Sequence, residues 1–189
     1  PTLVIGGFTM HRIKNANPET DTRAKIASFS KGSVRGDALD ICTGLGYTAI
    51  EMSRRPHVDT VLTLELDPSV LDVCRCNPWS QDLFKSEKIT SRVGNAAEVV
   101  KTLDSERFSL ICHDPPARAL NFAGELYSLE FYSELYRILK SGGTLFHYVG
   151  NPDSKESGVL FAGIMKRLQE AGFKNIKKAV KAFGITADK

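Results

Sequence analysis

A chain of 189 residues with 42% hydrophobic and 25% charged side chains has the make-up of one ordinary globular domain with a sizeable core. Its formal net charge of +3 is too small to demand a nucleic-acid partner. No apolar run approaches a membrane-spanning length and no signal peptide is visible, so a cytoplasmic protein with no membrane contact is expected. The chain begins with Pro1 instead of Met, as a processed or excised piece of a longer protein would.

Residues 3–8, with Gly6 and Gly7, read as a short strand or hairpin arm. Residues 18–29 read as a helix, with Pro18 and Glu19 suited to its first turn and Ile26 and Phe29 on its apolar side. A loop from Lys31 to Asp37 leads into the apolar run Ala38-Leu39-Asp40-Ile41-Cys42, a buried strand. Gly44 and Gly46 follow at alternate positions, and a helix begins at Tyr47 and ends before Pro56. Strands are expected at residues 61–66, 89–93, 108–113 and 144–149, separated by helices at 68–75, 96–103 and 126–139. Lys140-Ser141-Gly142-Gly143 closes the last of these helices. A helix at residues 159–171 carries Leu160, Ile164 and Leu168, and two final strands, 175–182 and 185–187, are joined tightly at Phe183-Gly184.

Five strand-helix alternations predict right-handed crossovers and an α/β fold. The sheet is doubly wound and mostly parallel, with seven strands. The short final link can join only antiparallel neighbours, so the sheet ends in a C-terminal hairpin. Residues 1–35 are expected to flank the site and residues 36–189 to form the core of a single domain.

The strand-Gly-x-Gly-helix turn is the first functional signal. Glycine lets backbone approach a ligand, and the turn aims a helix N-terminus into the crevice. Gly44, Gly46 and Ala49 fit one form of the dinucleotide fingerprint, and Glu65 lies about twenty residues on, where a carboxylate holds ribose hydroxyls. Taken alone this is compatible with NAD. Asp40, inside the first strand, argues otherwise: it would repel a pyrophosphate and favour a cofactor bearing an amino group and a sulfonium. The second contrary signal is Asp114-Pro115-Pro116 after a later strand.

Asp40-x-Cys42-x-Gly44-x-Gly46 resembles the Asp/Glu-x-Gly-x-Gly-x-Gly motif of class I S-adenosylmethionine (SAM)-dependent methyltransferases, with Cys42 in place of the first glycine. The resemblance covers nearly the whole chain. It is closest to a set of predicted, mainly archaeal methyltransferases sharing the stretches Leu-Gly-Tyr-Thr-Ala, Asn-Pro-Trp-Ser, His-Asp-Pro-Pro and Phe-His-Tyr-Val-Gly-Asn-Pro. Here these begin at Leu45, Asn77, His113 and Phe146. It implies a Rossmann-like methyltransferase fold and SAM as cofactor, held by Asp40, Thr43, Gly44, Gly46, Tyr47, Thr48, Glu65, Leu66, Asn95, Ala96 and Asp114. In such a fold the segment around Asp21, Thr22 and Lys25 packs across the cofactor's methionine end, although each of these also suits a solvated helix face.

Ligands of open α/β sheets bind at the carboxyl ends of the strands, where Asp40–Gly46, Glu65–Leu66, Asn95–Ala96, His113–Pro116 and His147–Tyr148 fall in line. Glu65 suits the ribose or a helix cap, Leu66 the adenine face, and Asn95 the adenine amino group or the following helix N-terminus. His113-Asp114-Pro115-Pro116 resembles the Asp/Asn-Pro-Pro-aromatic motif of methyltransferases acting on amino or amide nitrogen. There the carboxylate and a neighbouring carbonyl hold the target nitrogen's lone pair toward the methyl. Ala117 replaces the aromatic, which weakens a flipped-base acceptor unless Phe122, Tyr127 or Tyr148 stacks instead.

His113, His147 and Tyr148 are candidate proton acceptors or wall residues, and Arg118 suits an acidic acceptor or solvent. Trp79 suits packing or a lid. The basic residues Lys166, Arg167, Lys174, Lys177, Lys178 and Lys181 suit a solvated face or RNA. Of the four cysteines, Cys42 and Cys112 fall in buried strands, and Cys74-x-Cys76 lacks a second pair for zinc, so no metal is expected and thiols stay reduced. The sequence leaves the methyl acceptor and the oligomeric state open. It also leaves two other functions standing: aminopropyl transfer from decarboxylated SAM, and non-catalytic SAM or RNA binding.

Overall fold

The computed structural model describes the chain apart from residues 1, 3, 6, 7, 13–15, 30, 31, 33, 117–122, 155 and 156, with the backbone alone at residues 5, 8 and 9. The N-terminal arm is a small antiparallel pair, β1 (Val4–Ile5) and β2 (Phe8–Thr9). The apolar runs read as strands then lie side by side in one sheet. Its strands are β3 (Gly36–Ile41), β4 (Val58–Glu65), β5 (Ile89–Val93), β6 (Phe108–His113), β7 (Leu139–Tyr148), β8 (Lys174–Ala179) and β9 (Gly184–Asp188). Their order is β5-β4-β3-β6-β7-β9-β8, parallel from β5 to β7, with β9 antiparallel to both its neighbours. This is the expected seven-stranded sheet with a terminal hairpin, and its order reverses between β3 and β6, where a crevice must open.

Among the described residues seven α-helices connect the strands: α1 (Pro18–Ala27), α2 (Tyr47–Ser53), α3 (Pro68–Cys76), α4 (Asp82–Lys85), α5 (Ala96–Val99), α6 (Leu129–Ile138) and α7 (Ser157–Glu170). Alternate residues of a strand face opposite sides, and the core divides accordingly. Leu39 and Ile41 of β3 pack with Phe131 and Leu135 of α6 and Phe161, Ile164 and Leu168 of α7. Ala38 packs on the other face with Ile26 and Phe29, Ala49 and Ile50 of α2, and Val70 and Cys74 of α3. Helices therefore cover both faces, which lets the central parallel strands be largely apolar.

Three local features depart from expectation. The four-residue helix α4 falls between Ser80 and Ile89, where no element was expected. Lys140 to Gly143 belong to β7, which starts at Leu139 and shifts register against β6 between Phe108 and Leu110. Gly142 takes φ +75°, so the glycine pair bends the strand instead of ending the helix. The final link is a 3-10 turn at Val180–Ala182 followed by Phe183 at φ 56°. Gly184 is required there because a Cβ would stand 2.5 Å from the His147 carbonyl oxygen. On β8, at the sheet edge, Lys174, Lys177 and Lys178 are exposed, and edge lysines oppose pairing with a further strand. No helix among the described residues is long and apolar enough to cross a membrane.

Candidate functional site

The chain leaves β3 through a tight bend. Cys42 and Thr43 both donate their backbone N–H to the Leu64 carbonyl at 3.0 Å, and Cys42 itself takes φ 72°. Gly44 and Gly46 follow at φ 52° and 77°, and Gly46 is the residue before α2. A Cβ on Gly46 would come within 3.0 Å of the Leu83 side chain. The Gly44 N–H donates to Glu65 Oε2 at 3.0 Å, and the Gly44 carbonyl accepts from Cys74 Sγ at 3.2 Å. The turn amide that would meet a pyrophosphate in a dinucleotide site is therefore already bonded to a carboxylate.

Glu65 ends β4. Its Oε1 accepts from the N–H groups of Leu66 at 2.9 Å and Asp67 at 3.1 Å, so three backbone amides orient it. Burial raises its carboxyl above the ordinary range, and the amides of Asp67, Gly44 and Leu66 oppose that. Next to it Leu66 is 67% exposed, an apolar surface standing open to a ligand. Asn95 precedes α5 and serves two partners: Oδ1 accepts from the Ala97 N–H at 2.9 Å, and Nδ2 donates to Glu125 Oε1 at 2.9 Å.

These groups line one cavity of about 400 Å³. Thr43, Gly44, Tyr47, Thr48, Glu65, Leu66, Asn95, Ala96, Asp114 and Pro116 all border it, drawn from the ends of β3, β4, β5 and β6. Sequence reasoning missed Met10, His11, Val70, Ala123, Glu125 and Leu126, which complete the wall. The two N-terminal residues come from the segment after β2. His11 stacks on Tyr47 with ring centroids 5.0 Å apart, and burial, with Lys25 nearby, lowers its pKa to about 4. No periodicity or motif marks that segment.

Asp40 is fully buried and does not border the cavity. It connects to it through hydroxyls: Thr43 Oγ1 lies 2.6 Å from Thr63 Oγ1, which donates to Asp40 Oδ2 at 2.8 Å. Asp40 Oδ1 has no partner, and burial pushes the carboxyl up to about 8, against the Thr63 hydrogen bond. Gly46 and Pro115 also lie off the cavity surface.

His113, expected at the mouth, is instead fully buried. It faces the core because it pairs with Ile41 in the sheet and shares the side of Phe131, 5.3 Å away between centroids. Its Nε2 lies 3.1 Å from the Leu126 carbonyl, its ring stacks on His147 at 4.3 Å, and burial lowers its pKa to about 3. His147 is equally buried, with Nε2 3.1 Å from the Tyr132 hydroxyl. Both rings are neutral wall residues, out of reach of a ligand in the cavity.

Asp114 follows β6 and is held from below. Lys25 Nζ donates to its Oδ2 at 2.6 Å and pairs with Asp21 Oδ2 at 3.0 Å. Arg12 Nε lies 3.2 Å from Asp21 Oδ1, and Lys25 Nζ stands 4.8 Å from the centre of the Tyr148 ring. Burial alone would lower the Lys25 pKa, but the two carboxylates outweigh it and raise it, so the ammonium stays charged. Burial raises Asp114, and Lys25 together with Thr48 draws it back. Asp21 and Lys25, read as cofactor contacts, thus lie under the site, while Thr22 lines a second groove of about 560 Å³ that shares Tyr47 and carries Trp79, 64% exposed. Ala117, Arg118 and Phe122 lie outside the described residues.

A carboxylate-lined nucleoside-sized cavity at the switch point of a seven-stranded sheet defines a Rossmann-like fold of the class I methyltransferase type. Comparison with known proteins places it more closely. The chain matches the spermine/spermidine synthase domain over residues 2–184, and it belongs to that family. An uncharacterized protein of Methanocaldococcus jannaschii is 47% identical over 192 residues, spanning 100% of this chain and 64% of its own length. Putrescine N-methyltransferase 2 of Nicotiana attenuata is 27% identical over 146 residues, 76% of this chain and 38% of that protein. Among solved structures, spermidine synthase from Thermotoga maritima superposes with a TM-score of 0.74 at 18% identity, covering 98% of this chain and 63% of that one. A SAM-dependent methyltransferase from Archaeoglobus fulgidus gives 0.63 at 18% identity, over 84% and 69%. The chain spans less than two thirds of the length of both sequence relatives.

Proposed function

We propose that this protein is a SAM-dependent methyltransferase that delivers the methyl group to a nitrogen positioned at Asp114. The observation that carries the reading is the charge of the cavity wall. Glu65 and Glu125 line it, Asp114 adds a carboxylate paired with Lys25, and the turn amide that would bind phosphate is bonded to Glu65 instead. Such a wall suits a cationic nucleoside and repels a pyrophosphate. Methyl transfer to an amine nitrogen is also what the name of the similar putrescine N-methyltransferase 2 of Nicotiana attenuata describes.

The residues fit the cofactor as follows. Glu65 is pre-oriented by three amides and has acceptor capacity left for two ribose hydroxyls. Leu66 offers its exposed apolar surface to one adenine face, and Asn95 holds Glu125 where the adenine amino group would be received. Thr43 links the sulfonium end to the buried Asp40 through Thr63. SAM, when bound, supplies an electrophilic methyl on a positively charged sulfur. Asp114 and the backbone carbonyl of Pro116, both on the cavity wall, would then accept hydrogen bonds from the acceptor nitrogen and fix its lone pair. Positioning of this kind contributes much of the acceleration in a displacement between two held partners.

The rival within the family is aminopropyl transfer from decarboxylated SAM. Incubation with fractionated cell extract separates them, using SAM tritiated in its methyl group in one arm and decarboxylated SAM labelled in its aminopropyl chain in the other. Label entering an amine or amide from the first donor alone is the expected result. Transfer from the second donor alone would replace methylation with the rival.

A further inference from the structure

Two titratable side chains at the acceptor end take no part in the roles above: Asp21 and Lys25, each nearly inaccessible. We infer that Lys25 selects the acceptor, excluding diamines and polyamines by cancelling the charge of Asp114, so that the site takes an amine carrying no second ammonium group.

The charges around Asp114 balance locally. Arg12 and Lys25 contribute two positive charges, Asp21 and Asp114 two negative ones, and the four are linked in a chain by contacts of 3.2, 3.0 and 2.6 Å. His11, which borders the cavity beside them, is neutral above about pH 4. A polycation is held by uncompensated carboxylates, and Asp114 reaches the cavity surface with its charge already matched by an ammonium 2.6 Å away. An ammonium added beside Asp114 also meets the repulsion of Lys25, so the net attraction is reduced while desolvation remains. The Tyr148 ring, 4.8 Å from Lys25 Nζ, backs the ammonium and leaves it no route into solvent. Glu125, the other carboxylate on that side, is engaged by Asn95 toward the nucleoside end. A family whose relatives include enzymes named for putrescine thus contains here a site built on the opposite charge logic.

This selection rests on the transferase reading of the cavity, and its test keeps the two apart. Calorimetric titration of 1,4-diaminobutane is carried out on wild type, on Lys25→Arg and on Lys25→Met/Asp21→Asn, each with and without saturating S-adenosylhomocysteine. The double substitution frees Asp114 without stranding two buried carboxylates. Wild type and Lys25→Arg are expected to show no binding up to millimolar diamine. The double variant is expected to bind at least about tenfold more tightly. Diamine binding by the wild type below about 100 µM, or a folded double variant with no gain in either arm, overturns the selection. If the double variant does not fold, the wild-type and Lys25→Arg titrations decide alone. Failure of S-adenosylhomocysteine to bind sinks the transferase reading and leaves the diamine comparison standing.

Discussion

Replacing Glu65 by Gln keeps the size of the side chain and changes its hydrogen-bonding. Oε1 retains its two amide donors from Leu66 and Asp67, but the new NH₂ faces the Gly44 N–H, 3.0 Å from the atom it replaces. One buried donor is left unmet, which costs about 1–3 kcal/mol of stability. The proposed ribose contacts also change from charge-assisted to neutral. Such bonds are roughly twice as strong as neutral ones, and two of them weakened by about 1–1.5 kcal/mol each lower affinity by about 30- to 200-fold. Titration calorimetry with S-adenosylhomocysteine on wild type and Glu65→Gln measures the affinity, with a thermal melt to confirm folding. A folded variant whose Kd stays within threefold of wild type would refute the ribose assignment and leave Glu65 as a brace for the glycine turn.

The remaining predictions concern the supporting residues. Asp40 holds its proton more tightly folded than unfolded, with a pKa raised by burial to about 8. Its stabilising contribution is therefore complete below about pH 4 and is lost as the pH rises through 8. Asp40→Asn should lose less stability than wild type between pH 5 and 8, read from urea midpoints, and parallel curves would contradict this. Gly46→Ala forces a left-handed alanine and a Cβ 3.0 Å from Leu83, costing about 1–2 kcal/mol and lowering Tm by about 3–6 °C; an unchanged Tm would mean the turn adapts. His113→Leu removes the partner of the Leu126 carbonyl and costs about 1–3 kcal/mol. Transfer at saturating substrate should persist within about threefold, whereas a catalytic base would lose about a hundredfold or more.

The sheet was legible because its strands are continuous apolar runs, such as Val61 to Leu64, and its turns carry glycine and proline where backbone geometry requires them. The order of Gly44, Glu65, Asn95 and Asp114 along the chain already placed them on successive strand ends, and all four border the cavity. Two kinds of information were hidden. The first is which side of a strand a terminal residue faces: His113 and Asp114 are neighbours, yet pleating sends one into the core and the other to the cavity. The second is pairing across long separations. Lys25 and Asp114 are 89 positions apart, and nothing in the periodicity of α1 signals that its lysine neutralises a loop after β6. Met10 and His11 were hidden for the same reason: both border the cavity, and His11 does so against the Tyr47 ring. The stretch at Leu139 misled because a glycine pair after a helix ordinarily ends it, whereas here the strand has already begun.

On the proposed function, the cavity accepts a positively charged sulfur nucleoside and rejects a phosphate-bearing one. A direct measurement is equilibrium competition on the wild-type protein, with labelled SAM displaced by unlabelled S-adenosylhomocysteine or by NAD. The account predicts displacement by S-adenosylhomocysteine at micromolar concentration and none by millimolar NAD. Displacement by NAD at comparable concentration, or no retention of SAM by the folded protein, would contradict it.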